Sequence, residues 1–313
     1  MRRSHIITLL TDFGNQDAYV GIMKGVIAGI NPSANIIDIC HTIPPHDILN
    51  GAYLLSTSYQ YFPKGTIHVA VVDPGVGSRR DIICVCIRNY IFLVPNNGIL
   101  SFIVPGEKPK NIIRVTNTKF FLPSLSNTFH GRDVFAPVAA HLSLGIKPQQ
   151  LGSKINQLEH LNIPGPECKK TGQLEGRIIY IDRFGNLITN ITQSHIEQHI
   201  INQSKPTTRR DKTTSPILYI RKAGMKGKYA KRASIFHLSC GEKGIVRKYV
   251  METTLRKKKI MGLRKTYMDV KPGEPLVLFG SAGFLEISVN QGNAQKYFKV
   301  DRGNKIMVEM GPY

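Results

Sequence analysis

The chain has 313 residues, of which 42% are hydrophobic and 20% are charged, and its formal net charge is +21. This length and composition predict a globular protein of one large or two ordinary domains, and exclude a disordered or fibrous chain. No apolar run approaches the roughly 18–20 residues of a membrane span, and the apolar run that follows Met1-Arg2-Arg3 is too short for a signal peptide.

The cysteines are few and scattered along the chain. The five positions, which show no metal-ligand spacing, are Cys40, Cys84, Cys86, Cys168 and Cys240. Scattered, unpatterned cysteines are typical of reduced thiols in a reducing compartment. We therefore expect a cytoplasmic protein without a membrane segment.

The positive charge is concentrated in one stretch. Between Ser204 and Met268 there are 19 Lys and Arg residues against three acids, so this segment carries 16 of the 21 excess charges. Two explanations are open, a nucleic-acid or other anionic partner and a simple solvated surface. We favour the second, with weak nucleic-acid binding at most, and treat 204–268 as a basic insertion.

The first half of the chain alternates strand and helix patterns. The predicted elements are a strand over 5–10, a helix from Tyr19 to Ile30, a strand from Asn35 to Ile39, a helix capped by Asp47 and ending near Pro63, and a buried strand over 66–72. Two β-α units followed by a strand predict a mostly parallel sheet with helices on its faces. A hairpin over 82–94, a strand from Asn111 to Thr116 and a helix from Val134 to Leu144 complete this half.

The sequence pattern of the second half predicts short strands. They are predicted at Arg177–Ile181, Leu187–Ile191, Ile217–Ile220, Leu276–Phe279, Leu285–Val289 and Ile306–Glu309. Few helical stretches interrupt them, which is typical of a small β-barrel. The sequence therefore predicts an α/β protein with an N-terminal domain over 1–165 and a C-terminal β-barrel domain over 174–313, the latter containing the insertion 204–268.

Polar residues follow the predicted strands of the first domain. Asp12 ends the first strand, Asp73 ends the strand 66–72, Arg80 lies seven residues later, and His130 precedes the last helix. Because parallel strands place their carboxyl ends at one crevice, these side chains can converge. The chain lacks GxxxxGK[ST], HExxH, CxxC and GxSxG motifs, which argues against a nucleotide phosphate loop, a metal site and an α/β-hydrolase site.

Several longer motifs carry a family resemblance. They are Thr11-Asp12-Phe13-Gly14, the run from Tyr19 to Gly25, Val71-Val72-Asp73-Pro74-Gly75-Val76-Gly77 with Arg80, Phe129-His130-Gly131-Arg132-Asp133, and Asp182-Arg183-Phe184-Gly185-Asn186. In this order they resemble the S-adenosyl-L-methionine hydrolases, or SAM hydroxide adenosyltransferases, which share their fold with S-adenosylmethionine-dependent halogenases. The resemblance covers 5–195 and resumes at about 270–300.

The resemblance implies attack of water or hydroxide on the ribose C5′ of S-adenosyl-L-methionine, giving adenosine and L-methionine without a metal or other cofactor. It also implies a homotrimer with sites at the subunit interfaces. The implied residues are the catalytic triad Asp73, Arg80 and His130, with Asp12 for the ribose, Phe184 and Asn186 for the adenine, Asp182 and Ser281 for the methionine end, and Asn97 and Phe129 as further substrate contacts. The sequence departs from the family at Asn96, where an Asp is usual, which puts a role for position 96 in doubt.

Two other functions stay open at this point. A halogenase would use the same fold, but such relatives differ at the triad positions, whereas Asp73, Arg80 and His130 are all present. A nucleic-acid-binding protein would use the basic segment 204–268 and leave the first domain as a scaffold, against which the intact triad also argues.

Overall fold

A computed structural model of the protein describes residues 5–203, 217–222, 234–240 and 245–312. The chain divides into two compact units, residues 1–162 and 163–313. Each unit has its own sheet and its own buried apolar core.

The first unit contains six strands and three α-helices. They are β1 (Ile6–Thr11), α1 (Tyr19–Ile30), β2 (Asn35–Cys40), α2 (Ile48–Ser58), β3 (Ile67–Val71), β4 (Ile82–Ile87), β5 (Tyr90–Pro95), β6 (Asn111–Arg114) and α3 (Ala136–Ser143). The second unit contains β7 (Glu167–Cys168), β8 (Leu174–Ile181), β9 (Leu187–Thr192), α4 (Gln193–Gln203), β10 (Ile217–Lys222), β11 (Ser234–Cys240), β12 (Ile245–Leu255), β13 (Lys258–Met261), β14 (Pro275–Phe279), β15 (Phe284–Val289), α5 (Ala294–Phe298) and β16 (Lys305–Pro312).

The sheet of the first unit has the order β2-β1-β3-β5-β4-β6. The pairs β1–β2, β1–β3 and β3–β5 are parallel, whereas β4 pairs with β5 and β6 in the antiparallel sense. The predicted mostly parallel sheet is therefore confirmed. The strand order reverses between β1 and β3, and ligands of open α/β sheets bind at such a reversal.

Helices cover both faces of this sheet. Successive side chains along its strands are apolar and point alternately to the two faces, so both faces must be covered. Ile7 and Leu9 of β1 pack into the core that also contains residues of α1 and α3. Leu10 points to the opposite face, into the core that contains Ala52 and Leu55 of α2. Two-sided burial of this kind is what an all-apolar strand between helices predicts.

Local signals set the ends of these elements. Asp47 caps α2 as predicted, because its Oδ1 accepts a hydrogen bond of 3.0 Å from the backbone N–H of Asn50. The predicted hairpin over 82–94 turns at Arg88, which has a φ of 52°. The helix predicted from Val134 differs at its start, because residues Gly131–Phe135 form a π-helical turn before α3. Such turns are rare and frequently lie at functional sites.

One buried histidine, His68, has no charged neighbour among the described residues to stabilise a proton. His68 on β3 is fully buried, and its Nδ1 lies 2.8 Å from the Thr8 hydroxyl. Its ring stacks on Phe92 and lies edge-on to Tyr59, and among the described residues its Nε2 has no hydrogen-bond partner. Burial lowers the pKa of His68 to about 3.

We expect His68 to make the protein sensitive to acid. The unfolded chain binds a proton at this residue near pH 6.5, and the folded chain does so only near pH 3, so stability is lost as the pH falls from 6.5 towards 3. Between pH 7 and pH 5, the free energy of unfolding should fall by about 2 kcal/mol more in the wild type than in His68→Phe. Urea titrations at both pH values measure this difference. The exposed His160→Gln should behave like the wild type, and equal acid sensitivity in His68→Phe would contradict the assignment.

The sheet of the second unit is antiparallel and nearly closed. Its order is β10-β11-β12-β16-β8-β9-β15-β14, with β13 on β12 and β7 on β8. The N–H of Arg264, which follows β13, donates to the Val277 carbonyl of β14, and this bond connects the β13 side of the curved sheet to its β14 edge. The predicted small β-barrel domain is confirmed, and α4 is a helix that the sequence analysis did not predict.

Part of the basic segment 204–268 belongs to this sheet. β12 pairs with β16 and β13 pairs with β12, so residues 249–261 continue the barrel. Residues 204–216, 223–233 and 241–244 of the segment lie outside the described residues. None of the helices in the described ranges has both the length and the apolar character needed to cross a membrane.

Candidate active site

The candidate catalytic residues of the first unit follow neighbouring parallel strands. Asp12 follows β1, Asp73 lies two residues after β3, and Asn97 lies two residues after β5. Because β1, β3 and β5 are adjacent and parallel, their carboxyl ends meet at one edge of the sheet. The strand-order reversal between β1 and β3 falls at the same edge.

Asp73 and Arg80 form a buried ion pair. Arg80 Nη2 contacts Asp73 Oδ2, and only 4% of the Asp73 side chain and 12% of the Arg80 side chain are exposed. Asp73 Oδ1 also accepts a hydrogen bond of 3.1 Å from the Gly75 N–H, and Arg80 Nη1 donates to the Asp81 carbonyl at 2.7 Å. The six-residue loop between them thus folds back on its own start.

Burial acts on both members of the pair. It raises the pKa of the Asp73 carboxyl, against which the Arg80 charge acts, and it lowers the pKa of the Arg80 guanidinium. A desolvated pair such as this depends on every remaining hydrogen bond being satisfied. One donor is not satisfied within the described residues, because the buried Nε of Arg80 has no partner.

His130 is the third member of the predicted triad and lies at the start of the π-helical turn. Burial raises the pKa of Asp73, and a positive charge on His130 would oppose that rise, so the imidazole and the carboxyl are electrostatic neighbours. The buried Nδ1 of His130 is also without a hydrogen-bond partner among the described residues. The structure thus brings the predicted triad into one neighbourhood and, as far as the described residues go, leaves one imidazole nitrogen and one guanidinium N–H unpaired.

The loop that precedes His130 is fixed at both ends. Asp133 is fully buried and accepts from the Ser126 N–H at 2.7 Å, while Arg132 holds the same carboxylate at 2.5 Å. Burial would raise the pKa of Asp133, but these hydrogen bonds outweigh it and lower the pKa. Gly77 closes the other side, because it has a φ of 78° and a Cβ there would lie 2.5 Å from the Asn127 carbonyl. Only glycine permits this close approach of the two loops.

Asp12 lies at a tight turn after β1. Its Oδ2 accepts a hydrogen bond of 2.8 Å from the backbone N–H of His46, which has a φ of 66°. Within the described part of the chain, the second carboxylate oxygen, Oδ1, has no hydrogen-bond partner. The carboxylate is therefore anchored through one oxygen.

Asn97 and Asn96 both bind backbone groups of the chain. Asn97 Nδ2 donates to the Val72 carbonyl at 2.8 Å, and its Oδ1 accepts from the Ile99 N–H at 3.3 Å. This ties the end of β5 to the residue before Asp73, and a substrate contact of Asn97 stays a prediction.

Asn96 Oδ1 accepts from the Glu159 N–H at 2.9 Å. An amide therefore serves a structural contact at the position where the family usually has Asp.

Phe129 belongs to an aromatic cluster beside His130. Its ring lies 5.0 Å from that of Tyr19 and 5.9 Å from that of Phe13, both at steep angles. The guanidinium of Arg132 lies 5.4 Å from the same ring. Tyr19 remains 45% exposed, so the cluster presents an aromatic surface next to the triad.

In the second unit, Asp182 organises the turn between β8 and β9. Its Oδ1 accepts from the N–H groups of Phe184 and Asn186, both at 2.9 Å, and its Oδ2 accepts from Asn186 Nδ2 at 2.9 Å. Gly185 has a φ of 86°, and its carbonyl accepts from the Gln295 N–H. The turn leaves Phe184 73% exposed, which is unusual for so large an apolar side chain.

A second polar group in this unit was not predicted from the sequence. Glu286 is buried, and its Oε1 accepts from the hydroxyls of Tyr267 and Ser288, each at 2.7 Å. Burial and the Glu286 carboxylate raise the pKa of Tyr267. A Cβ on Gly280 would lie 2.7 Å from Glu286 Oε2, so this carboxylate packs beneath the exposed turn that carries Ser281. In the sequence, the glycines on either side of Ser281 were the available indication of a tightly packed turn at this position.

No group of three or more His, Cys, Asp or Glu side chains among the described residues is arranged to hold a metal ion. The predictions made from the sequence for metals and other cofactors stay predictions.

Most of the chain matches one protein family. Residues 7–152 match the family model described as SAM hydroxide adenosyltransferase N-terminal domain, and residues 176–222 and 239–307 match that of the C-terminal domain. The chain belongs to the SAM hydroxide adenosyltransferase family. The resemblance seen in the sequence motifs is thereby confirmed. Within the C-terminal match, the unmatched stretch 223–238 is much shorter than the predicted insertion 204–268.

Relatives from several organisms are similar over nearly their full length. A protein of Methanocaldococcus jannaschii named (R)-S-adenosyl-L-methionine hydrolase is 35% identical over 97% of this chain and 95% of its own. One of the same name from Thermus thermophilus is 28% identical over 96% and 98%. A fluorinase of an Actinoplanes species is 28% identical over only 62% of this chain and 74% of its own.

A solved structure supports the fold directly. The crystal structure of an uncharacterized conserved protein from Thermotoga maritima is 31% identical, covers 96% of this chain and 99% of its own, and superposes with a TM-score of 0.76.

Proposed function

We propose that this protein hydrolyses S-adenosyl-L-methionine to adenosine and L-methionine. The observation that carries the proposal is the buried Asp73–Arg80 pair with His130 beside it, at the sheet edge where Asp12 also lies. The relatives named (R)-S-adenosyl-L-methionine hydrolase align with nearly the whole chain, whereas the fluorinase aligns with 62% of it. Hydrolysis is therefore favoured over halide transfer.

The chemistry requires help for the nucleophile rather than for the leaving group. A sulfonium carries a full positive charge and leaves as neutral methionine, so no acid and no metal is needed to assist its departure. Water is the weak partner, because its pKa in bulk is about 15.7. A site for this reaction must bind water, take up its proton and stabilise the negative charge that develops on its oxygen.

The triad supplies groups for each of these tasks. Arg80 Nε is a buried donor without a partner among the described residues, so it can hold the attacking oxygen. His130 Nδ1, also unpaired there, can accept or relay the proton of that water. Asp73 fixes the guanidinium, and its negative charge attracts the cationic substrate. The new C5′–O bond forms as the C5′–S bond breaks, and methionine leaves with the electron pair.

Binding is assigned to residues of both units. The Asp12 carboxylate suits the ribose diol, because two oxygens can accept from two hydroxyls. The exposed ring of Phe184 and the amide of Asn186 suit the adenine, with Phe129 and Asn97 as further contacts. Asp182 and Ser281 suit the charged ends of the methionine moiety. We propose that the reaction uses no cofactor and that the free thiols of Cys40, Cys84, Cys86 and Cys168 suit a cytoplasmic location.

We also propose a homotrimer in which neighbouring subunits together form each site. Nucleoside-binding residues of different units are then supplied by different chains, as the family resemblance implies. Static light scattering of the pure protein should give three times the chain mass of 34.9 kDa. A fully active monomer would contradict the shared site.

Nucleic-acid binding through 204–268 is the alternative from another class of function. If it occurs, we expect it to be weak and independent of sequence. Its affinity should fall steeply as the salt concentration rises, because releasing counterions from the nucleic acid is then less favourable. A tight, sequence-selective complex would reverse the order of the two proposals.

The direct test of hydrolysis is to incubate the pure protein with S-adenosyl-L-methionine and identify the products, which should be adenosine and L-methionine in equal amounts.

A further inference from the structure

A chain of polar contacts connects Asp12 to a histidine on the neighbouring strand. His41 follows β2 directly, and only 5% of its side chain is exposed. Its Nδ1 lies 2.9 Å from the Thr11 hydroxyl, and its backbone carbonyl accepts from the Gly14 N–H at 2.7 Å. His41 therefore holds residues on both sides of Asp12.

The same connection contacts Asp12 itself. Asp12 Oδ2 accepts from the His46 N–H, and His46 lies on the loop that joins His41 to α2. The Thr11 hydroxyl also accepts from the Phe13 N–H at 3.3 Å. The turn over 11–14 thus has one hydrogen bond of its own, and its other hydrogen bonds come from His41 and His46, about 30 positions away.

The orientation of His41 is fixed in turn. Its Nε2 lies 3.0 Å from Asp38 Oδ1, and the other oxygen of Asp38 accepts from Lys24 Nζ on α1 at 2.6 Å. The imidazole is thereby held between a hydroxyl and a carboxylate. The hydrogen bond at Nδ1 and the nearby carboxylate together favour one ring orientation, although Nε2 makes no well-aligned hydrogen bond within the described residues.

We propose that His41 is a positioning residue for Asp12, which sets the direction of the Asp12 carboxylate and hence the affinity for a ligand with a vicinal diol. The inference rests on the proposed role of Asp12 in ribose binding. It assigns to His41 no contact with the substrate and no part in proton transfer.

The test is a binding comparison with two ligands, adenosine and 2′,3′-dideoxyadenosine, which lacks the diol. His41→Leu should weaken adenosine binding about tenfold and leave dideoxyadenosine binding unchanged within about twofold. His41→Asn should restore most of the adenosine affinity, because an asparagine amide can replace Nδ1 towards Thr11. In turnover, His41→Leu should raise KM about tenfold and change kcat at saturation less than about twofold.

A double-mutant cycle separates positioning from a general structural effect. In an Asp12→Ala background, His41→Leu should have no further effect on adenosine binding, because the group through which it acts is gone. Equal loss of both ligands, or an additive loss in the double variant, would overturn the proposal. Should His41→Leu fail to fold, Thr11→Val removes the same contact from the other side and should give the same selective loss.

The ribose-binding role of Asp12 and the positioning role of His41 can be disproved separately. If Asp12→Ala binds adenosine as well as the wild type does, the proposed ribose role is wrong. If Asp12→Ala loses adenosine affinity and neither His41→Leu nor Thr11→Val does, only the positioning role is wrong.

Discussion

Arg80→Ala should lower kcat about 10²–10³-fold, which is the usual loss when a preorganised donor to a developing charge is removed. The physical reason is that Arg80 is buried with Asp73 and that its Nε, which has no partner among the residues the structure describes, is free to donate to the attacking oxygen. Without the guanidinium, the oxygen of the attacking water loses its stabilising charge and Asp73 is left as an unpaired buried acid. Single-turnover kinetics with S-adenosyl-L-methionine measure this loss apart from product release.

The neighbouring arginine provides the control. Arg79 is exposed on the same loop, so Arg79→Ala removes an equal charge one residue away and should leave kcat within about twofold. Adenosine should still bind to Arg80→Ala, because the substitution leaves the residues proposed to bind the diol and the adenine unchanged. A near-normal rate in Arg80→Ala, or equal losses in both variants, would exclude Arg80 from catalysis.

Asp12→Ala should give the opposite pattern. Hydrogen bonds to a charged acceptor are worth about 1.5–3 kcal/mol each, so losing one or two of them should weaken adenosine binding by about 10–100-fold or more. We expect KM for S-adenosyl-L-methionine to rise by a similar factor, with a much smaller change in kcat. Isothermal titration with adenosine and steady-state kinetics measure the two effects.

Asp17 serves as the matched control for Asp12. It is an exposed acid five residues later, so Asp17→Ala changes the net charge equally without touching the turn after β1. Its adenosine affinity should equal that of the wild type. If Asp12→Ala instead lowers kcat and leaves adenosine binding intact, the ribose role belongs to another residue.

Sequence patterns predicted the elements that depend on interactions between residues close together in the chain. The spacing of Val20, Met23 and Ile27 predicted α1, and these are the residues that the helix buries. The Asp47 cap and the hairpin turn at Arg88 are likewise short-range features. Motif order also predicted the family, because several long matches in one order are far more specific than any single short pattern.

The structure added what depends on contacts between distant residues. The Gly77–Asn127 approach joins two loops 50 residues apart, and His41 binds Thr11 across 30 residues. Neither contact leaves a periodic signal in the chain. The helix α4 was missed although Ile196 and Ile200, both fully buried, have the four-residue spacing of a helix face, because the surrounding strand patterns favoured an all-β interpretation.

The measurement that tests the central claim most directly is turnover in heavy-oxygen water with chloride present. If Arg80 and His130 direct water to the ribose C5′, mass spectrometry should find one heavy oxygen in adenosine, at its 5′ position, and none in methionine. Halide should not compete, because Asp73 repels an anion close to Arg80. Unlabelled adenosine, or 5′-chloro-5′-deoxyadenosine as a product, would contradict the account.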